Sequence, residues 1–149
     1  MKKFLVAVVA VLVVVQFIRP VRNLSAEPAG PRDLAVMYPP TPEVKAVLAR
    51  ACYDCHSDNT RYPWYANVQP VGWWLANHVN DGKRHLNFSN FGALPELRQY
   101  RKLGGVINVL KKHEMPLSSY TLIHTDARLT DAETKSLSDW VAAIRAKLP

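Results

Sequence analysis

Residues 52–56 read Cys52-Tyr53-Asp54-Cys55-His56, and the fold follows from how these five are read. Two cysteines three positions apart, with a histidine directly after the second, form the C-x-x-C-H pattern of a covalently attached c-type haem. Each thiol forms a thioether with a haem vinyl group, and the imidazole that follows is placed under the iron. Two other chemistries use the same cysteine spacing. A redox disulfide of the thioredoxin type sits in a strand-helix-strand pattern, which this chain lacks. A structural zinc site needs four ligands, and His78, His85, His113 and His124 do not fall at the spacing of a second ligand pair. Once His56 takes one side of an iron, the rest of the chain has to supply the other.

The chain has 149 residues, enough for one domain with a single core. Its only two cysteines are those of the motif, so no disulfide framework remains and the fold is held by packing and by its cofactor. The formal charge of +7 is misleading in its distribution. Lys2, Lys3, Arg19 and Arg22 precede Glu27, where no acid occurs; the remainder carries fifteen basic against twelve acidic residues, a net of +3. A balance that small gives no basis for nucleic-acid binding.

Immediately upstream of the motif, Thr41-Pro42-Glu43 supplies an N-cap, a proline at the first helical position and an acid in the first turn. The helix that starts there has an apolar face of Val44, Val47, Leu48, Ala51, Cys52 and Cys55, which carries both cysteines to the buried side. Residues 23–40, with Pro28, Gly30, Pro31, Pro39 and Pro40, read as an extended tether. At the N-terminus Lys2-Lys3 precedes an apolar run from Phe4 to Ile18 broken only by Gln16, the shape of a signal peptide or signal anchor spanning residues 1–22. Leu24-Ser25-Ala26 is a poor cleavage site because leucine stands where a small residue belongs, which favours an uncleaved anchor over a soluble periplasmic product.

Downstream of His56, Arg61 is a candidate partner for a haem propionate, and Tyr62, Trp64 and Tyr65 form an aromatic cluster fit for a porphyrin wall. Pro70 opens a second helix with Val71, Trp74, Leu75, His78 and Val79 on one face, expected to end at Asp81-Gly82. His78 on that apolar face is a candidate iron ligand. A third helix covers residues 95–113, where Gly104-Gly105 predicts a kink or a close approach of haem or backbone. Its Arg98, Arg101, Lys102, Lys111 and Lys112 form a wet face or a docking surface for an acidic partner. Met115-Pro116 lies 59 residues after His56 on a loop and is the first candidate for the opposite axial ligand. Thr130 and Glu133 make a capping box for a final helix buried through Leu137, Trp140, Val141, Ile144 and Leu148.

In arrangement, a helix into C-x-x-C-H, a Met-Pro loop and a C-terminal helix opening "LTDAETKSLSDW", residues 41–149 resemble a class I cytochrome c. The strings "CYDCHSDNTRYPWY", "HVNDGKRHLNFSNF", "MPLSSY" and "IHTDARLT" resemble the small bacterial haem-binding domain family defined by its C-x-x-C-H motif, over nearly the whole chain. The resemblance implies an all-α, periplasm-facing, membrane-tethered protein with one covalent haem c, held by Cys52, Cys55 and His56. Met115 as second iron ligand carries over from the cytochrome c pattern. The stretch between His56 and Pro95, which contains His78 and His85, departs from an ordinary cytochrome c and keeps His78 as the alternative. The expected activity is electron transfer to redox partner proteins. The rival is a haem left open on one side, reducing peroxide or sensing a small ligand, with His78 or His124 as the acid-base group.

Overall fold

A computed structural model describes residues 1–27 and 29–149; Pro28, one of the prolines of the 23–40 stretch, lies outside them. The described residues are helical, with no strand and one isolated bridge between Leu24 and Asn59. The expected all-α class is met. Eight α-helices follow in order: α1 (Lys2–Val15), α2 (Leu34–Met37), α3 (Pro42–Ala51), α4 (Tyr53–His56), α5 (Val71–His85), α6 (Glu96–Lys111), α7 (Ser118–Thr121) and α8 (Asp131–Arg145).

The long elements start and stop as their local chemistry dictates. In α3 the Thr41 hydroxyl accepts from the Val44 amide at 3.3 Å, and in α8 Thr130 and Glu133 cap each other reciprocally. α6 ends in a Schellman turn, with the Glu114 amide on the Val109 carbonyl (2.9 Å), the His113 amide on the Leu110 carbonyl (3.1 Å) and His113 left-handed at φ 54°. α8 packs across α6 and α3. Their apolar stripes meet in a core of Val44, Val47, Leu48, Leu103, Leu110, Leu137, Val141 and Ile144, closed at one end by Leu34, Phe88 and Phe91.

Four local expectations change. The helix entering the motif is not continuous: it breaks at Cys52 (φ −127°, ψ −45°) and restarts as α4, so Cys55 leaves the face that Val44 and Leu48 define. α5 runs through Gly82 to His85 instead of stopping. Gly82 is needed for proximity, because a β-carbon there would lie 2.5 Å from the Cys55 carbonyl oxygen. α6 passes through Gly104-Gly105 as one helix, Gly104 serving the close passage of the Arg145 side chain, 3.4 Å from an added β-carbon. The 23–40 stretch is fastened to the domain: Asp33 caps α2, Leu34 is in the core, and the Gly92 amide donates to the Arg32 carbonyl at 2.9 Å.

The N-terminal helix also differs from a membrane-crossing one. α1 has 14 residues, about 21 Å at ~1.5 Å per residue, against a hydrocarbon core of about 30 Å. Among the described residues no helix is long and apolar enough to cross a membrane. α1 is exposed along its apolar length and has no buried residue.

Candidate haem site

α4 holds the motif between two anchors supplied by its own intervening residues. Tyr53 packs edge-on against Phe88, ring centroids 5.8 Å apart. The Asp54 carboxylate is buried; it accepts from the Arg61 amide at 3.0 Å, from the Arg61 guanidinium at 3.2 Å on both oxygens, and from the Tyr120 hydroxyl at 2.6 Å. Burial and the adjacent Asp54 push the Tyr120 hydroxyl far above its ordinary pKa, which keeps it a donor. Arg61 is therefore committed to Asp54 and is not the free propionate partner that its loop position suggests.

His56 is fixed by α5. Its Nδ1–H donates to the Leu86 carbonyl at 2.8 Å, leaving Nε2 with a free lone pair, the orientation second-shell bonding gives to metal-binding histidines. Burial lowers its pKa against the backbone contacts that raise it, a shift towards the neutral ring that a ligand requires. Both cysteines are free thiols. Burial, with the neighbouring Cys55, raises Cys52 to about 12, and burial together with Asp54 raises Cys55 to about 11. A redox C-x-x-C site requires the opposite, a thiol lowered towards neutrality. Among the described residues no group of three or more His, Cys, Asp or Glu is placed to hold a metal ion, so the pair is not part of a zinc cage of such residues.

These side chains border two adjoining cavities. The larger, about 330 Å³, is bounded by α3, α6 and α8 through Leu48, Leu103, Val106, Leu110, Leu137, Trp140 and Val141, and by Cys52, His56, Met115 and Pro116. The smaller, about 250 Å³, lies on the α5 side between Cys55, His78, Gly82 and Tyr120, and shares Cys52, His56, His85, Met115 and Pro116 with the first. The Schellman turn of α6 delivers Met115 to this shared border. Interiors otherwise hold few voids larger than a water molecule, so an apolar space of this size suits a large flat apolar group.

The local chemistry of the cavity fits haem. The larger cavity is lined mainly by hydrocarbon, with His56, His85 and the Met115 thioether on the border it shares with the smaller one and the two thiols beside them. A β-carbon on Gly105, which lines the larger cavity, would meet nothing within 4 Å, so this glycine keeps that wall clear. Arg101 and Lys102 put cations on the same wall, suited to carboxylates.

A family model described as Haem-binding domain matches residues 10–143. The chain belongs to this haem-binding domain family. Haem is thus the ligand of the domain, and the match begins inside α1, so the family pattern includes part of the apolar helix. Comparison with curated proteins and with solved structures gave no match.

Within this haem-binding domain the candidate residues fall into two groups. Cys52, Cys55, His56 and Met115 are brought together at the cavities, Cys55 on the smaller one alone. His78 borders only the smaller cavity, its Nδ1 bonded to the Trp74 carbonyl at 2.9 Å and its ring 4.1 Å from the Trp74 ring. His124 lines neither; it is stacked on Tyr120 at 4.4 Å and bonded to the Tyr65 hydroxyl at 2.7 Å. Trp64 and Tyr65 are not cavity walls. The sequence does not mark Arg101, Lys102 and Trp140 as cavity lining, whereas Gly105 lines the larger cavity where the glycine pair allows a close approach of haem. The glycine pair was the one signal that pointed to that wall.

Proposed function

We propose that this chain is a mono-haem c-type cytochrome that carries electrons at the outer face of the cytoplasmic membrane, with haem attached through Cys52 and Cys55 and iron held between His56 and Met115. The reading rests on one observation: an imidazole with Nδ1 tied to a carbonyl and a methionine border the same cavities as the motif cysteines. His78 is the alternative second ligand, placed lower because it reaches only the smaller cavity and is packed on Trp74. Bound haem supplies a one-electron couple.

The chain's residues set the conditions of that couple. The Leu86 carbonyl holds His56 in the right tautomer, the Met115 thioether favours ferrous over ferric iron relative to a second imidazole, and the aliphatic walls of α3, α6 and α8 keep water out. Arg101 and Lys102 take the propionates, while Arg98 and Lys111 on α6 and Lys112 at its C-cap face an acidic redox partner protein. Lys2-Lys3 and the apolar α1 serve export, because c-type haem is attached outside the cytoplasmic membrane, and hold the domain at that membrane.

The test is spectroscopic. Haem is expected to stay with the polypeptide through denaturing electrophoresis when the full chain is matured in cells that assemble c-type haem. Met115→Ala is expected to abolish the weak near-infrared sulfur-to-iron band of the oxidised protein, lower the potential and open the iron to carbon monoxide; His78→Ala leaves all three unchanged. The reverse pattern assigns His78 instead. An iron already open in the unmodified protein transfers the reading to a peroxide-reducing enzyme or a small-ligand sensor.

A further inference from the structure

The residues directly after α1 are bonded to the haem domain with no intervening linker. Gln16 follows α1 at once, accepting from the Gln69 amide at 2.9 Å and donating to the Gln69 carbonyl at 3.2 Å. Two residues on, the Ile18 carbonyl accepts from the Trp73 indole at 2.8 Å. Arg22 bonds Asn67 at 2.6 Å and lies over the Tyr62 ring at 5.0 Å. The base of α1 is thereby fixed to the start of α5 and the turn before it.

That same region exposes a set of large apolar side chains. Phe17 and Ile18 stand out beside Gln16; Trp64 is 79% exposed and Trp74 46%, with Val68 and Val71 exposed between them in sequence. Val71 and Trp74 share a face of α5 at three-residue spacing. Soluble surfaces rarely gather tryptophans and branched aliphatics in this way without a partner, and tryptophan favours the boundary between lipid and water.

We propose that the exposed Trp64, Val71 and Trp74, on the turn and the helix start to which the base of α1 is bonded, lie in the lipid interface of the membrane that α1 enters. The proposal rests on the membrane reading of α1 given above. Its occupant is specified by geometry. α1 covers about 21 Å of a core about 30 Å thick, and a helix that short is accommodated by thinning of the bilayer around it, which brings the lipid surface to the structure at its base. Because Gln16 is already bonded to the domain, the structure at that surface is the turn and helix start that carry the exposed Trp64 and Trp74. Arg19, exposed next to it, meets lipid phosphates. The haem domain is thus held in one orientation on the surface instead of swinging on a tether.

The test uses the full-length holoprotein in vesicles of phosphatidylcholine and phosphatidylglycerol, with the photo-crosslinking residue p-benzoylphenylalanine in place of Trp64, Trp74 or Asn108, the last exposed on α6. After flotation and illumination, positions 64 and 74 are expected to give about tenfold more phospholipid adduct than position 108, as an interfacial site does over an aqueous one. Adduct at 64 and 74 no greater than at 108, in protein that floats with the vesicles, overturns the proposal and leaves the anchor reading standing. Protein that does not float overturns both.

Discussion

Replacing Gly105 with leucine separates a haem seat from an ordinary void. A β-carbon at Gly105 meets nothing within 4 Å, and the residue lines the larger cavity from α6. If that space had no occupant, leucine would gain about 0.8–1 kcal/mol of helix propensity and, because Gly105 is exposed, only part of the ~1.5–3 kcal/mol of full side-chain burial. Together these come to roughly 1–2 kcal/mol, a rise in melting temperature of about 2–8 °C for a chain of this size. If haem occupies the space, the isobutyl group stands where the cofactor must lie, and overpacking costs about 1–3 kcal/mol or prevents attachment. The expected outcome is a severalfold fall in haem per polypeptide, measured by pyridine haemochrome, with no gain in melting temperature of the product. Gly104→Ala is the control one position away: its β-carbon contacts only the far end of Arg145 at 3.4 Å, so haem content stays at the wild-type level. Full haem content in Gly105→Leu together with a raised melting temperature would refute the reasoning and place haem elsewhere.

Gly82→Ala forces a β-carbon to 2.5 Å from the Cys55 carbonyl and 3.1 Å from its β-carbon, so α5 shifts away from α4. A loss of about 1–3 kcal/mol and reduced haem content are expected in thermal melts and haem-stained gels. Thr130→Ala removes the hydroxyl that accepts the Glu133 amide at 3.2 Å and is expected to lower stability by about 1 kcal/mol with an unchanged absorption spectrum, read by urea titration. Burial works to raise the pKa of Asp58, but hydrogen bonds from Lys83 and Asn87 and the Lys83 charge more than offset it and hold the group below the usual carboxylate value. Its folded pKa is thus depressed, so its stabilisation is present above the unfolded value of about 3.9 and is lost as pH falls through the folded one. Asp58→Asn should therefore be less stable than wild type at pH 6, by under ~1 kcal/mol for so exposed a pair, and equal to it near pH 2. A difference that persists in acid would assign the effect to packing.

What could be read in the sequence divides by the range of the interaction. Thr41, Thr130 and Glu133 cap their helices as short-range rules require, and the apolar stripes of α3 and α8 are the observed core. Met115 reaches the border of the same cavities as His56, where the loop reading put a candidate ligand. The misreadings came from residues whose role is set by a neighbour remote in sequence. Gly82 resembles a helix stop until Cys55, 27 positions earlier, is seen pressed against it. Arg61 resembles a free loop cation until Asp54 and Tyr120 are in view. The prolines of 23–40 signal an extended tether, yet Leu34 finds the core and Asn23 bonds to Ser57, Thr60, Tyr62 and Lys83. No periodicity in that segment announces contacts made one residue at a time.

The two residues that the C-x-x-C-H pattern leaves unspecified hold it in place here. α4 is a single turn, too short to be stable alone, and no disulfide joins the motif cysteines to fix it. Tyr53 ties the turn to Phe88 on one side, next to the Leu86 carbonyl that orients His56. Asp54 ties it on the other side to Tyr120, which follows Met115 on the next short helix. One hydrogen bond of 2.6 Å thus couples the turn bearing His56 to the segment bearing Met115. Asn23, through Ser57 and Thr60, closes the strand of chain that leaves His56. The placement of His56 and Met115, one on a single helical turn and the other on the loop before α7, therefore depends on a buried carboxylate and its donors, and the apolar core behind them supplies the stability that these segments lack by themselves.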